Sequence, residues 1–372
     1  MKSKYSKTNK NIENIKKNKN QSKNRDISNP NNIIPFKNIN PTEDEFISLF
    51  DFVHTYNDLY YIIYTNNWSE IVFFDIIDNI RVLKIKNSHY YQILYIKHYF
   101  DKDNSRDLLA SYSHENSIKL WNINNMECIA AIDILSSFND KEIILNSLFF
   151  MNNKNQINIV APFVFKNKNE KIVFYDLKGI KMKEITIKIK NHNVFDTNYY
   201  YAQKERKNYI VFGGDGFLKS FDVNKNDIYK IYCNNDNIIN NQIIIYDKDK
   251  KIKLISSGGG LIRIWNFHSG ELLNTLKIND RTYRLPVICI WNSDYLIGAC
   301  DFSGLKIFDL KNDKIPQVIS DFGTCFCAKK IMHPIYGESL LILSRANNIR
   351  YLCIGINKKL LSLLYFLENI YP

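Results

Sequence analysis

The stretch from Leu108 to Ile123, LLASYSHENSIKLWNI, decides the fold of this chain. Its sequence predicts a strand over Leu108–Tyr112, a polar turn over Ser113–Ser117 and a second strand over Ile118–Ile123. Alternating side chains on both sides of a tight polar turn are typical of a β-hairpin. The second strand closes on an aromatic residue, Trp121, and an asparagine follows it.

The same pattern returns along the chain in weaker form. Copies of the hairpin are IVFGGDGFLKSFDV (210–223), LISSGGGLIRIWNF (254–267) and LIGACDFSGLKIFDL (296–310). The position of the closing aromatic residue is filled by Phe74, Trp121, Tyr175, Phe221, Trp265, Phe308 and, in degraded form, Leu352. These residues are 47, 54, 46, 44, 43 and 44 positions apart, about the length of a four-stranded propeller blade. Seven copies predict an all-β fold, a seven-bladed β-propeller with four-stranded antiparallel blades.

At these residues the chain resembles the WD-repeat (Trp-Asp repeat) β-propeller family, over roughly residues 31–372. In that family a histidine, a strand serine, a turn aspartate and a tryptophan form a hydrogen-bonded set within a blade. Here a glutamate replaces the aspartate of the second copy, and the fourth copy has Phe221 for the tryptophan and Val211 for the serine. The structural set implied by the resemblance is His89, Ser111, Glu115, Trp121, His192, Asp215 and Trp265.

The positive charge is concentrated at the N-terminal end. Residues 1–40 contain ten Lys or Arg and two acids, a net charge of +8 out of the +12 of the whole chain. Residues 1–30 also have too few apolar side chains to offset the entropy of ordering, so a disordered basic N-terminal arm is expected. The predicted domains are this arm, residues 1–30, and the propeller, residues 31–372.

The cysteines and the apolar runs indicate a compartment. Seven cysteines at irregular spacing, with no apolar leader near the N-terminus, predict reduced thiols and an intracellular location, cytoplasmic or nuclear. The apolar run Leu360–Leu367 is far shorter than the roughly 18 residues of a membrane helix, so no membrane insertion is expected.

Two segments compete for the strand that closes the ring. Ile33–Ile39 can supply the outermost strand of the last blade, where Pro35 restricts it to a sheet edge. Leu360–Leu367 follows the seventh hairpin at the usual distance, but its apolar residues do not alternate with polar ones. We favour closure by the N-terminal segment, and the other possibility stays open at this point.

No set of residues indicates catalysis. The run Ser256–Gly260 lacks the Gly-Lys-Ser/Thr ending of a phosphate loop and is predicted to be a hairpin turn. Cys325 and Cys327 have no further metal ligands nearby and are expected to be small core residues. We therefore expect no catalytic residue, cofactor or metal, and an enzyme is the least favoured reading.

Two loops are candidate contacts for partner proteins. The resemblance implies a narrow face formed by the loops that join each outer strand to the next inner strand, together with the inner hairpin turns. Arg281, Tyr283 and Arg284 lie on one such loop and are of the types enriched at interface hot spots. Tyr90 and Tyr91 lie on another, where they either contact a partner or cover the blade edge.

These observations predict a non-enzymatic protein-interaction scaffold, which binds one or more proteins through its narrow face as part of a complex. A closed ring loses little entropy on docking, so a few aromatic and arginine contacts can suffice. The alternative is a ribonucleoprotein or RNA-processing component whose basic arm contacts RNA.

Overall fold

The computed structural model describes most of the chain between residues 33 and 357. The described residues are 33–39, 47–66, 69–134, 143–145, 147–153, 156–165, 170–187, 194–214, 216–234, 241–246, 251–258, 260–277, 288–292, 294–300, 304–310, 312, 314–319, 324–346 and 349–357. The predicted arm, residues 1–30, lies outside them.

The described residues lie mainly in β-strands. The strands are β1 Ile33–Ile39, β2 Ile47–His54, β3 Tyr60–Asn66, β4 Glu70–Asp75, β5 Ile80–Ile85, β6 Ile93–Asp101, β7 Arg106–Ser113, β8 Ser117–Asn122, β9 Glu127–Asp133, β10 Ile143–Leu145, β11 Phe149–Asn153, β12 Gln156–Phe165, β13 Glu170–Tyr175, β14 Lys181–Ile187, β15 Val194–Ala202, β16 Lys207–Gly214, β17 Phe217–Asp222, β18 Asp227–Asn234, β19 Asn241–Tyr246, β20 Ile252–Gly258, β21 Leu261–Asn266, β22 Leu272–Lys277, β23 Ile288–Asn292, β24 Tyr295–Cys300, β25 Gly304–Asp309, β26 Lys314–Ile319, β27 Thr324–His333, β28 Gly337–Ala346 and β29 Ile349–Asn357.

The strands make seven antiparallel sheets. Six sheets follow the chain, namely β2–β5, β6–β9, β10–β14, β15–β18, β19–β22 and β23–β26. The seventh sheet has the order β1-β29-β28-β27. The fold is therefore a seven-bladed β-propeller, as the period predicts, and the sheets are numbered here as blades one to seven from β2 onward.

The ring is closed by the N-terminal strand. β1 pairs with β29 in antiparallel register, from Ile33 opposite Asn357 to Ile39 opposite Leu352. β1 is an edge strand, which is where Pro35 can be accommodated. The prediction of N-terminal closure is confirmed, while Leu360–Leu367 lies outside the described residues.

The core consists of layers between blades. The buried apolar side chains of the described residues form seven clusters, and each cluster joins two consecutive blades. One of them packs Val72 and Phe74 of blade one against Leu343 and Ile354 of blade seven. Because this cluster joins the last blade to the first, each blade has a neighbour on both sides.

In blades one to six, the closing residue of the third strand packs toward the preceding blade. Trp121, for example, belongs to the cluster between blades one and two. Blade seven corrects the sequence prediction, because Leu352 pairs with Leu343, which packs toward blade one. Cys353 pairs with Ile342, which packs toward blade six, so Cys353 rather than Leu352 occupies the repeated position.

In six blades, the Asp or Asn after the closing residue stabilises the turn that follows. Its side-chain oxygen accepts hydrogen bonds from backbone N–H groups two to four residues further on, which is an Asx turn. Asn266 Oδ1, for example, lies 3.0 Å from the amide nitrogens of His268 and Ser269. The residues that do this are Asp75, Asn122, Asp176, Asp222, Asn266 and Asp309.

Blade three departs from the four-strand pattern. Its inner strand is interrupted, so that β10 and β11 both pair with β12 and the sheet has five strands. The buried side chain of Leu148 lies in the interruption, and it packs in the cluster between blades two and three. The sequence does not predict this break, because apolar residues occur on both sides of it.

Candidate interaction face

The predicted narrow face is the end of the ring that combines two kinds of loop. Turns between second and third strands lie there, together with the connections from each fourth strand to the next blade, because successive strands run in opposite directions. We call this end the upper face. On it, the turn between β7 and β8 meets the connection Ser88–Gln92, which leads from blade one into blade two.

The structure brings four of the predicted blade residues into one hydrogen-bonded chain. His89 Nδ1 lies 2.6 Å from Glu115 Oε1, and His89 Nε2 lies 2.8 Å from Ser111 Oγ. The indole nitrogen of Trp121 lies 2.9 Å from the same Ser111 oxygen. These hydrogen bonds therefore join the connection Ser88–Gln92 to the β7–β8 turn and to both strands of that hairpin.

The direction of these bonds follows from the donors. A tryptophan N–H can only donate, so Ser111 Oγ accepts it and its own proton can bond to His89 Nε2. His89 then has its proton on Nδ1 and donates it to Glu115. Burial lowers the pKa of His89, although Glu115 opposes the effect, and this keeps the imidazole neutral.

Glu115 connects the buried chain to the surface. Its second oxygen, Oε2, accepts the backbone N–H of Tyr90 at 2.7 Å. Burial alone would raise the pKa of Glu115, but hydrogen bonds from Ser117, His89 and the Tyr90 amide hold it below its ordinary value. The carboxylate is therefore ionised and fixes the backbone at Tyr90.

The connection Ser88–Gln92 is fixed at further points. Lys119 Nζ donates to the carbonyl oxygen of Ser88 at 2.6 Å, and Ser113 Oγ donates to that of Tyr91 at 2.9 Å. The amide of His114 donates to the carbonyl oxygen of Gln92 at 3.0 Å. Sequence reasoning missed Lys119 and Ser113, since nothing in their spacing indicates the loop that they contact.

Tyr90 and Tyr91 project from this fixed backbone into solvent. Tyr90 is 89% exposed and Tyr91 is 64% exposed, so their rings do not cover the blade edge. A tyrosine buries a large apolar ring and offers a hydroxyl when it is covered, at a small cost in side-chain entropy. The two residues therefore present exposed aromatic rings on the upper face, on a backbone that hydrogen bonds fix.

Blade five repeats part of the buried chain. The indole nitrogen of Trp265 lies 2.9 Å from Ser256 Oγ, as that of Trp121 does from Ser111. Sequence reasoning missed Ser256, although in both hairpins the serine lies two residues beyond the strand partner of the tryptophan.

The fourth copy needs a correction at the serine position. Phe221 pairs with Ile210, so the position two residues further on is Phe212 and not Val211. The β16–β17 turn is one residue shorter than the β7–β8 turn, and this shifts the alignment. The predicted residues His192 and Asp215, and the candidate contacts Arg281, Tyr283 and Arg284, lie outside the described residues.

The structure also bears on the glycine run, on metal sites and on membrane helices. Ser256–Gly258 ends strand β20 and Leu261 begins β21, which confirms that the glycine run is a hairpin turn, with Gly260 at a φ of 75°. Within the described ranges, no group of three or more His, Cys, Asp or Glu side chains could hold a metal ion. Among the same residues we find no helix with the length and apolar character that crossing a bilayer requires.

Comparisons with known proteins agree with the architecture. No family model and no curated protein matches the sequence. A solved structure, the β-propeller domain of Cps50 (Swd1) from Myceliophteria thermophila, superposes with a TM-score of 0.62 at 11% identity. The match covers 87% of this chain and 99% of that domain. The likeness shows the fold alone. Membership of the WD-repeat family stays a prediction from the repeats.

Proposed function

We propose that this propeller is a non-enzymatic scaffold that binds partner proteins through its upper face, with Tyr90 and Tyr91 as contact residues. The proposal is supported mainly by one observation, the exposure of two adjacent tyrosines on a backbone that hydrogen bonds hold in place. The likeness to another β-propeller domain is consistent with this function but does not identify a partner.

The physical advantage of such a loop is preorganisation. Binding to a mobile loop costs the entropy of ordering it, and this cost reduces affinity. The connection Ser88–Gln92 has its backbone ordered before binding, because Glu115, Ser113 and Lys119 already bond to it. Aromatic side chains in that setting are the usual centres of binding energy at protein interfaces.

The test is to change both tyrosines and measure partner recovery. In affinity purification from the native cell, the amount of at least one protein partner recovered with the Tyr90→Ala/Tyr91→Ala variant should fall roughly tenfold or more. Both side chains are exposed, so the free energy of unfolding should change by less than about 0.5 kcal/mol. Quantitative mass spectrometry and urea unfolding measure the two effects.

A matched control is Tyr56→Ala. Tyr56 is 58% exposed and lies in the turn between β2 and β3, at the opposite end of the ring. This variant should recover the same partners as the wild type. Normal recovery by the double variant would remove Tyr90 and Tyr91 from the interface and leave the loop at residues 281–284 as the next candidate.

The other predicted contacts remain to be tested. Arg281 and Tyr283 can be changed to alanine in the same purification, with the same expected loss if they contact the partner. The alternative function, RNA binding by the basic arm, rests on residues 1–30 and stays a prediction from charge alone.

A further inference from the structure

Two isoleucines of blade four are exposed on the outer rim of the ring. Ile228 and Ile231 lie on β18, the outermost strand of that blade, and are 38% and 45% exposed. Ile228 pairs with Phe221, which packs in the cluster between blades three and four. Ile231 pairs with Lys219, two residues from Phe221 and so on the same face of the sheet. Both isoleucines therefore face the boundary between the outer strands of blades three and four, which we call the seam.

Blade four differs from its neighbours at these two positions. In blades one to five the register defines the equivalent residues, which pair with the closing aromatic residue and with the residue two positions before it. Only blade four of these five has a large apolar residue at both positions. A single exposed apolar residue is ordinary, whereas a pair on one face indicates a contact surface. The pairs, from blade one to blade five, are Arg81 and Lys84, Cys128 and Ala131, Lys181 and Glu184, Ile228 and Ile231, and Leu272 and Thr275.

Two lysines border the isoleucines. Lys183, on β14 of blade three, pairs with Phe174, which packs in the same cluster between blades, so its side chain also faces the seam. Its ammonium donates to Asn226 Oδ1, in the β17–β18 turn of blade four, at 2.8 Å. Lys219 lies directly opposite Ile231. Among the described residues, neither lysine forms an ion pair with a carboxylate.

The nearest acid on β18 does not neutralise these lysines. Asp227 pairs with Asp222, which follows Phe221 in β17 and therefore lies on the opposite face of the sheet. The apolar pair at the seam is thus bordered by positive charge. A complementary ligand combines apolar side chains with negative charge.

The backbone edge of β18 is a poor site for a further strand. Two bulges interrupt its pairing with β17, between Leu218 and Lys219 and between Ser220 and Phe221. Bulges twist an edge strand and disfavour pairing with another chain. Binding at this part of the rim therefore depends on side chains.

We propose that the seam binds a short acidic segment of a partner protein that also carries apolar side chains. Its apolar side chains cover Ile228 and Ile231, and its carboxylates pair with Lys183 and Lys219. Apolar burial supplies most of the affinity, while the charges speed association and select an acidic partner over a basic one. The seam shares no residue with the connection Ser88–Gln92, so this site is independent of the one on the upper face.

The experiment selects short peptides from a random display library on the immobilised full chain. Enriched sequences should contain Asp or Glu together with Leu, Ile or Phe. The most enriched peptide is then synthesised, and its binding is measured by fluorescence anisotropy. Sodium chloride should weaken this binding, because exposed charges are screened by salt. A selection that returns no acidic, apolar consensus would overturn the proposal.

Variants at the seam should weaken binding of this peptide. Ile228→Thr/Ile231→Thr keeps branched side chains that suit a strand but removes apolar area, so the dissociation constant should rise roughly tenfold or more. Lys183→Gln should raise it several-fold and reduce its dependence on salt. Urea unfolding checks that both variants are folded. The proposal is equally overturned if the isoleucine variant binds the peptide as the wild type does.

Leu272→Thr/Leu273→Thr is the matched control. These leucines are each 46% exposed on β22, the outer strand of blade five, and the variant should bind the peptide as the wild type does. The Tyr90→Ala/Tyr91→Ala variant should do the same, which separates this site from the upper face.

Vesicles of phosphatidylcholine and phosphatidylserine test an anionic lipid surface as the other ligand. The wild type and the isoleucine variant should sediment with these vesicles to the same extent. Sedimentation that only the isoleucine variant loses would assign the seam to lipid and overturn the assignment to a protein segment.

Discussion

The hydroxyl of Ser111 lies between two groups that belong to different parts of the blade. It accepts the indole N–H of Trp121 and contacts Nε2 of His89, on the connection from blade one. The resemblance to WD-repeat proteins was sufficient to propose this set, because residue types at fixed spacing indicate it. The exposure of Tyr90 beside it could not be predicted, since it depends on how Glu115 and Lys119 fold onto the loop.

We expect Ser111→Ala to lower the free energy of unfolding by about 3 kcal/mol, because it leaves two buried polar groups without a partner. Ser256→Ala is the matched comparison, since it removes a partner from the indole of Trp265. That variant should cost about 1–2 kcal/mol. Urea unfolding measures both, and equal losses would show that the His89 bond contributes nothing.

His333 provides a prediction on pH. It is buried, and its Nδ1 accepts the backbone N–H groups of Ile335 and Tyr336 at 3.1 and 3.3 Å. Burial lowers its pKa to about 4, so the folded state resists protonation that the unfolded chain accepts below about 6.5. Stability is therefore complete above about pH 6.5 and is lost as the pH falls toward 4.

Between pH 7.5 and pH 5, His333 should account for a loss of about 2 kcal/mol in the free energy of unfolding. His333→Asn retains an acceptor for the two amides but does not titrate, so it should flatten the profile by that amount. Burial also lowers the pKa of His89, which therefore adds a smaller loss of the same sign. An unchanged profile for His333→Asn would contradict the assignment.

At the scale of strands and turns, the residue that follows the closing aromatic residue stabilises the turn after it. In six blades an Asp or Asn there forms the Asx turn that leads from the third strand into the fourth. Blade seven has Ile354 after Cys353, where the strand β29 continues to Asn357, and the fourth strand of this blade is β1. The missing Asp or Asn was therefore a sequence signal for N-terminal closure.

Asn266 tests this interpretation of the turn. Asn266→Ala removes the acceptor for the amides of His268 and Ser269 and should cost about 1 kcal/mol of stability. Asn266→Asp retains the acceptor and should cost less than half as much. Both are measured by urea unfolding, and an equal cost for the two variants would mean that the side-chain oxygen is not what stabilises the turn.

Some strand features were not predictable at this scale. Bulges interrupt the inner strands of several blades, including the register between Cys325 and Cys327. A bulge adds one residue to a strand, so the two-residue alternation of a regular strand does not hold across it. The period fixes how many blades exist, but it carries no information about such local shifts.

For the whole molecule, the number and boundaries of the blades can be predicted from the repeat period, since each hairpin has the same pattern. The contact between blades seven and one cannot be predicted from the period, because it depends on two strands at opposite ends of the sequence. β1 contributes Ile33 and Ile39, which are 1% and 4% exposed, to the two clusters on either side of blade seven. The ring therefore depends on a strand of only seven residues.

Truncation separates this strand from the arm that precedes it. Deleting residues 1–30 should leave the free energy of unfolding nearly unchanged. Deleting residues 1–40 removes β1 and should lower it by at least about 3 kcal/mol, the value of burying two isoleucines. It also leaves β29 as an unpaired edge, so light scattering should show association. Equal stability of the two truncated chains would contradict closure by β1.

The closing strand also has a consequence for synthesis in the cell. Translation produces β1 first, yet its partner β29 begins 310 residues later, after Ile39. At about 5–20 residues per second, β1 waits on the order of 15–60 seconds on the ribosome before it can pair. Until β29 is synthesised, the ring of the nascent chain is open and β1 has no partner strand. Chaperones that cover Ile33 and Ile39 during this time would therefore influence the yield of folded protein.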